Sequence, residues 1–267
     1  MTILHAAILG LVQGITEFLP ISSTAHLRLV PALFGWPDSG AAFTAVIQLG
    51  TLAAVIGFFL RDLVRMIAAA ASPATRKELD ARMLLYMVVG TIPVGVVGLL
   101  ARHAIEGPLR GIPVIATSLI VVGLLMAYVE KTARHERTID TFTLRDALLV
   151  GMAQALAVVP GTSRSGITLV AAMILGFRRD AAARFSFLLS IPAVAAAGVF
   201  EFPKLMRDHD VGTAALVTGL LVAAVSGYLS VAWLLRFLRT RTTYGFVVYR
   251  VILGLGLLAA VIGGMNG

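Results

Sequence analysis

Six segments of this chain are apolar and long enough to cross a lipid bilayer as helices, which restricts its fold more than any other feature. They cover residues 39–60, 82–101, 112–130, 183–202, 213–235 and 245–264. A helix needs about 20 apolar residues to span a hydrocarbon core. Charged residues make up only 13% of the chain, about half the share in a soluble domain. The sequence predicts an all-α polytopic membrane protein with one membrane domain over residues 1–267.

Two further apolar regions, residues 2–34 and 143–177, are interrupted by polar runs at 20–24 and 160–164. Each half has about 11 to 17 residues, which at 1.5 Å per residue is too short to cross the core. We therefore expect each region to be a re-entrant helix–loop–helix pair that returns to the side from which it entered. Irregular backbone at that depth has to be covered by protein or to line a water-filled cavity.

The two interrupted regions resemble each other, which indicates an internal repeat. Gly-Leu-Val-Gln ends at Gln13 before the first break, and Gly-Met-Ala-Gln ends at Gln154, 141 positions later, before the second. Each region precedes three predicted spans, and three crossings reverse the side of the membrane. We expect inverted-topology repeats over residues 1–131 and 140–267, with their broken loops meeting at the repeat interface.

Most arginine and lysine residues lie on one side of this topology. That side holds, among others, Arg61, Arg65, Arg134, Arg178, Arg236 and Arg250. The other side holds Arg28, Arg102, Arg110, Lys204 and Arg207. Because cytoplasmic loops are enriched in these residues, the cation-rich side is predicted to be cytoplasmic and both termini to face outward. The net charge of +8 is thereby assigned to loops, and no nucleic acid partner is expected.

The first broken region carries the chain's deepest carboxylate. Glu17 lies well inside an apolar stretch, and Gln13 precedes it by four residues on the same helical face. Ser23 and, three residues later, His26 follow at the expected start of the next helix. A serine hydroxyl needs an adjacent base to act as a nucleophile, and either Glu17 or His26 is placed to be that base. The oxygens of Glu17 and Gln13 suit a divalent cation, Mg²⁺ or Ca²⁺.

The second broken region carries Arg164 within Pro-Gly-Thr-Ser-Arg-Ser-Gly-Ile-Thr. Insertion scales assign an arginine at the bilayer centre a cost of about 2.5–3.5 kcal/mol, so we expect a function for it. With the backbone N–H groups of residues 165–167 it forms a predicted anion cradle, and the expected anion in a membrane is a lipid phosphate. The residues expected to contact the substrate are Ser22, Thr24, Gly161, Thr162, Ser163, Ser165, Gly166 and Thr168.

Each of these residues also has a structural interpretation. Glu17 and Arg164 can form a buried ion pair that only joins the loops, the serines can cap helices, and His26 can be a structural histidine. We expect a shared site because a purely structural set would not be expected to cluster in both breaks. Gly10 and Gly14 predict close helix packing rather than a dimer motif, and a homodimer is left open.

A transporter or flippase for a lipid phosphate or another anion is the alternative function, because broken helices in inverted repeats are typical of transporters. A carrier needs the arginine and a cavity, but it needs no nucleophile and base. Ser23, Glu17 and His26 therefore discriminate between the two functions. A different class of membrane lipid phosphatase would need His and Asp soon after the Ser-Arg pair, and residues 169–176 contain neither.

The two loop sequences together resemble the bacitracin-resistance type of undecaprenyl-pyrophosphate phosphatase. They match its signatures (Glu/Gln)-x-x-x-Glu, ending here at Glu17, and Pro-Gly-x-Ser-Arg-Ser-x-x-Thr, ending at Thr168. The resemblance implies hydrolysis of a polyprenyl pyrophosphate, undecaprenyl pyrophosphate, to the monophosphate, which recycles the cell-wall lipid carrier. It also implies a divalent cation, a multi-pass location in the bacterial plasma membrane among its lipids, and a site open to the outer side.

The resemblance also implies a role for each matching residue. Ser23 would be the nucleophile, Glu17 its activating acid or base, and His26 a second acid–base group or phosphate contact. Ser163, Arg164 and Thr168 would hold the pyrophosphate. Gln13 stands where many members have Glu, so a metal role at this position loses one charge.

Overall fold

The computed structural model describes residues 1–101, 103–104, 107–207 and 211–263, without the side chains of residues 41–42 and 204–207. Within these ranges the chain forms α-helices and no β-strand, which confirms the all-α prediction. The helices are α1 Ile3–Phe18, α2 Ser23–Phe34, α3 Gly40–Phe58, α4 Leu60–Ala71, α5 Leu79–Leu100, α6 Ile112–Thr132, α7 Leu144–Ala155, α8 Arg164–Ile174, α9 Arg179–Arg207, α10 Thr213–Leu238 and α11 Tyr244–Ile262. Arg102 and Gly264, which the predicted loops and spans include, lie outside the described residues.

The spanning helices confirm a multi-pass membrane protein. Five helices, α5, α6, α9, α10 and α11, are long and apolar enough to cross a membrane, and α3 with α4 gives up to a sixth. The predicted span at 39–60 is corrected in one respect. The chain bends by 73° between α3 and α4, so the span ends at Phe58 and a separate helix follows. Helix α4 was not predicted because its charged residues interrupt the apolar segment.

Both interrupted regions form hairpins whose outer ends meet. In the first, the ring of His5 at the start of α1 stacks on Trp36, just after α2, with ring centroids 4.0 Å apart. In the second, Arg137 binds Asp146 in the first turn of α7 at 2.7 Å and the carbonyl oxygen of Leu175, at the end of α8, at 3.1 Å. Each pair therefore folds back on itself as a helix–loop–helix, and its return to the side of the membrane from which it entered stays a prediction.

The two breaks share an unusual backbone conformation. Ser22, before α2, has φ 74° and ψ 97°, and Ser163, before α8, has φ 70° and ψ 113°. A non-glycine residue in such a sparsely populated region costs about 1–3 kcal/mol and persists only where its surroundings enforce it. These two serines are 141 positions apart, as Gln13 and Gln154 are. The chain therefore has the same turn conformation at both breaks.

Glycine contacts hold each hairpin against a spanning helix. A Cβ on Gly10 of α1 would lie 2.4 Å from the carbonyl oxygen of Gly219 in α10, and one on Gly151 of α7 would lie 2.2 Å from that of Gly90 in α5. A Cβ on Gly14 would also overlap α10, which confirms close packing for the Gly10-x-x-x-Gly14 pattern. These equivalent contacts support the internal repeat, and its boundaries stay a prediction.

Candidate active site

Glu17, at the last turn of α1, is the centre of the site. Its Oε1 accepts a hydrogen bond from Arg164 of the other hairpin, which makes a buried ion pair. Its Oε2 accepts from Ser23 Oγ at 2.6 Å and from Gln13 Nε2 at 2.8 Å. The structure thus brings the predicted acid, hydroxyl, amide and arginine into direct contact across the two broken regions.

Of the two helices that follow the breaks, α2 starts without a side-chain cap. Ser22 Oγ forms a hydrogen bond with Thr24 Oγ1 at 3.0 Å and does not cap the helix. The start of α8 differs, because Ser163 Oγ accepts from Gly166 N at 3.2 Å and the Ser163 carbonyl accepts from Ile167 N at 2.9 Å. Two of the three N–H groups in the predicted cradle at 165–167 are therefore already in use. At the start of α2 only the equivalent of the second bond is present, from His26 N to the Ser22 carbonyl at 3.4 Å. The start of α2, beside Ser23, is the better place for an anion.

Hydrogen bonds between the loops hold them in register. Gly161 N donates to Thr24 Oγ1 at 3.4 Å, and Ser165 Oγ donates to the Leu19 carbonyl at 3.1 Å. Gly161 has φ 92°, and a Cβ there would lie 2.4 Å from the carbonyl oxygen of Ile115. Glycine is required at this position because both the conformation and the space exclude a side chain.

Arg250, on α11, forms hydrogen bonds to both loops, and this role was not predicted from the sequence. Its guanidinium donates to the carbonyl oxygens of Pro20 at 3.0 Å, Gly161 at 2.9 Å and Thr162 at 3.1 Å. Its side chain is fully buried, with 0% exposed. The assignment of Arg250 to the cytoplasmic charge cluster is therefore wrong. Its position within the apolar segment 245–264, several residues from either end, was the signal available in the sequence.

His26 is buried and has a partner on each side of its ring. Its Nδ1 lies 2.7 Å from the Ser22 carbonyl, and its Nε2 lies 2.6 Å from the Tyr249 hydroxyl. Its hydrogen bonds reach neither Glu17 nor Ser23, so Glu17 is the base that the geometry pairs with Ser23. Tyr249, like Arg250, comes from α11 and was not predicted.

Two predicted substrate contacts, Thr168 and Thr162, already form hydrogen bonds within the protein. Thr168 is fully buried, and its hydroxyl is bonded to the Arg164 carbonyl at 2.7 Å and to Ser186 Oγ at 2.6 Å. It supports the first turn of α8 and so fixes the base of the Arg164 side chain. Thr162 offers its carbonyl to Arg250.

Ser23, Thr24 and Arg164 are partly exposed, whereas Glu17 and Gln13 are buried. A ligand that approaches the loops therefore meets two hydroxyls and a guanidinium first, with the carboxylate behind them. This order fits an anionic group that binds Arg164 and is attacked by Ser23.

The oxygen ligands for a divalent cation are few. No group of three or more His, Asp or Glu side chains that would hold a metal is found among the described residues. Gln13 Oε1 is buried without a hydrogen-bond partner, and the Glu17 carboxylate is adjacent to this amide. Mg²⁺ commonly binds through one or two protein oxygens plus substrate phosphates and water. The Glu17–Gln13 pair fits that pattern only when a substrate supplies the other ligands.

The sequence is similar to a known protein family and to several named proteins over nearly its whole length. The family model described as "Bacitracin resistance protein BacA" matches residues 6–256. A Myxococcus xanthus (strain DK1622) protein named undecaprenyl-diphosphatase is 54% identical over 263 residues, 97% of this chain and 89% of that protein. Proteins of the same name from Nocardioides sp. and Thermobifida fusca are 47% and 44% identical, over 98% of this chain and 97% and 91% of theirs.

Proposed function

The chain belongs to the bacitracin resistance protein BacA family, and we propose that it hydrolyses undecaprenyl pyrophosphate to undecaprenyl phosphate and inorganic phosphate. The observation that carries this proposal is the hydrogen bond of 2.6 Å from Ser23 Oγ to Glu17 Oε2. It pairs a nucleophile with a base inside an anion-binding loop. A carrier would need no such pair, and the alternative of a transporter is not favoured.

In the proposed reaction, Ser23 Oγ attacks the terminal phosphorus and its proton passes to Glu17 Oε2. The bond from that phosphorus to the bridging oxygen breaks, and undecaprenyl phosphate leaves with the bridging oxygen. Arg164 and the free start of α2 stabilise the charge that spreads over the phosphoryl oxygens. Glu17 gives the proton from Ser23 to the departing undecaprenyl phosphate and is again a carboxylate. Water then attacks the phosphoserine with Glu17 as the base, and the proton that Glu17 takes from water passes to Ser23 Oγ as phosphate leaves, which restores the serine.

Arg164 has two partners in this scheme. In the structure it neutralises Glu17, and in the complex it is shared with the terminal phosphate. The terminal phosphate that Arg164 binds is thereby held beside Ser23 and Glu17.

We also propose that Glu17 and Gln13 Oε1 hold a divalent cation, Mg²⁺ or Ca²⁺, together with pyrophosphate oxygens. When bound, the cation would neutralise charge on the transferred group. The unpaired buried oxygen of Gln13 beside a carboxylate supports this proposal.

We further propose a location in the bacterial plasma membrane, with both termini and the opening of the site on the outer side. The cation-rich loops support this orientation. The product would be the lipid monophosphate of the outer leaflet, available for recycling as the carrier of cell-wall precursors.

The test is phosphate release by the purified protein from C15 and C55 polyprenyl pyrophosphates, with and without a chelator. We expect release from the unmodified protein and its loss with the chelator. Ser23→Ala and Arg164→Ala should each reduce turnover by a factor of about 10² or more, the usual cost of a lost nucleophile or oxyanion contact.

Ser230→Ala and Arg145→Ala are the matched controls. Ser230 bonds only within α10, and Arg145 is exposed on α7. Both controls should keep the unmodified turnover. If Ser23→Ala and Arg164→Ala also keep it while folded in detergent, the chemistry does not belong to these loops.

A further inference from the structure

A second polar space lies away from the Glu17 cluster, between the end of α10, the starts of α5 and α9, and helix α4. It is a cavity of about 370 Å³, within the range of about 300–1,000 Å³ typical of ligand sites. None of the residues that bind Glu17 lines it. Any ligand here is therefore distinct from the substrate in the proposed reaction.

Helix α4 places this cavity at the boundary between lipid and water. Leu60, Val64 and Ile67 share one face of α4 and are 54%, 57% and 58% exposed, whereas Arg65 and Met66 line the cavity. An amphipathic helix of this kind lies in the plane of the interface with its apolar face in the acyl region. The cavity is therefore at the depth of lipid headgroups.

The floor of the cavity is apolar and its rim is charged. Met66, Met83 and Leu188 form part of the floor and are at most 4% exposed. Such a pairing of apolar floor and polar rim fits the glycerol and first methylenes of a lipid below its headgroup, and it does not fit a free phosphate ion.

Most charged side chains beside the cavity are paired with another charged side chain of the protein. Asp62 binds both Arg65 and, at 2.6 Å, Arg184. Asp180 binds Arg178 at 3.3 Å.

The charges left over are of both signs. Arg239 and Asp140 line the same cavity, are exposed, and have no ion-pair partner within the part of the chain that the structure describes. Asp80, also on the rim, has only a long contact of 3.9 Å to Arg65. One free cation and one or two free carboxylates thus face one space.

We propose that this cavity binds the phosphoethanolamine headgroup of a membrane phospholipid. Arg239 takes the phosphate, and the carboxylates of Asp140 and Asp80 take the ammonium group. A phosphatidylglycerol headgroup would satisfy Arg239 and leave Asp140 unpaired. A phosphocholine headgroup offers no N–H donor to the carboxylates, so it makes the weaker complex.

The experiment measures lipid affinity of the purified full chain by native mass spectrometry with short-chain phosphatidylethanolamine, phosphatidylcholine and phosphatidylglycerol. Charge-assisted hydrogen bonds contribute about 1.5–3 kcal/mol, so we expect phosphatidylethanolamine to bind about tenfold more tightly than phosphatidylcholine. Asp140→Asn should reduce that preference to about twofold or less and should not weaken the binding of phosphatidylglycerol. Arg239→Gln should weaken all three lipids.

Arg145→Gln, an exposed arginine outside the cavity, is the control and should change none of these affinities. Equal affinity of the unmodified protein for the three headgroups would overturn the proposal. So would a preference for phosphatidylethanolamine that survives Asp140→Asn. Because the measurement is of binding alone, its outcome does not depend on whether the protein hydrolyses a pyrophosphate.

Discussion

At the scale of single residues, the hydrogen bonds of His26 decide which ring nitrogen carries the proton. Its Nδ1 lies 2.7 Å from the Ser22 carbonyl, which can only accept, so Nδ1 is protonated. In the neutral ring Nε2 is then an acceptor, and the Tyr249 hydroxyl at 2.6 Å is its donor. His26 thereby fixes the carbonyl of the strained residue before Ser23, and Tyr249 fixes His26.

This chain of contacts predicts that Tyr249 positions the catalytic loop through His26. Tyr249→Phe removes one hydrogen bond, and we expect kcat to fall by about two- to tenfold. The measurement is a double-mutant cycle: in a His26→Gln protein, Tyr249→Phe should have no further effect on kcat. Tyr244→Phe, on the same helix and 43% exposed, is the control. Additive losses would show that Tyr249 acts independently of His26.

Gln13 gives a second prediction at this scale, which concerns the proposed cation. Gln13→Glu places a second carboxylate beside Glu17, so the Mg²⁺ or Ca²⁺ concentration for half-maximal phosphate release should fall, by about fivefold or more. Gln154 is the matched control, since it is equally buried and its Oε1 is also unpaired, but its amide bonds the Gly90 carbonyl at 3.4 Å. Gln154→Glu should leave the metal dependence unchanged. An unchanged metal dependence in Gln13→Glu would remove Gln13 from the site.

Glu17 and Arg164 could be predicted as functional residues because each lies within an apolar region, where a charged side chain is costly and rarely serves packing alone. The same reasoning applied to Arg250 would have found it. Arg250 was instead counted with the arginines of the cation-rich side, although it lies several residues inside the apolar segment 245–264. Its partners are five backbone carbonyls, three on the two loops and two on α6. The sequence carries no sign of which carbonyls a helix will face.

At the scale of elements, small residues decide where the hairpins lie. Gly151 lets α7 approach α5 so closely that the space for a Cβ is already filled by the Gly90 carbonyl, 2.2 Å away. The spacing of Gly10 and Gly14 predicted close packing for α1, but only the structure shows that α10 is its partner, and the contact at Gly151 was not predicted. Helix α4 was missed for a different reason: its apolar face is one stripe of an amphipathic helix and not a continuous apolar run.

The close contact at Gly151 predicts that the addition of one methyl group there destabilises the protein. Gly151→Ala forces α7 away from α5, and we expect the thermal midpoint in detergent to fall by several degrees with a parallel loss of turnover, because the second loop moves with α7. Gly98→Ala on α5 has nothing within 4 Å of its Cβ and should be neutral or slightly stabilising, since alanine favours a helix by up to about 1 kcal/mol over glycine. Equal midpoints for the two variants would contradict the tight packing.

At the scale of the whole molecule, the two hairpins are predicted to contribute no net crossing, so the spanning helices alone decide on which side each end lies. The bent pair of α3 and α4 adds at most one crossing to the other five. With six crossings, an even number, we predict that both termini lie on one side. We then expect the loop that carries Arg164 to enter from the opposite side to the loop that carries Ser23, and the ion pair between Arg164 and Glu17 joins the two hairpins.

The absence of cysteine from the chain makes this topology directly measurable. Single cysteines at Pro37 and Gly263, both exposed, should react with a membrane-impermeant maleimide in intact cells. Cysteines at Ala74 and Arg134, exposed on the cation-rich side, should react only after the membrane is permeabilised. The reversed pattern would place the proposed site at the cytoplasmic face. Labelling of Pro37 and Gly263 from different sides would contradict the even number of crossings, and with it the inverted arrangement that brings Arg164 to Glu17.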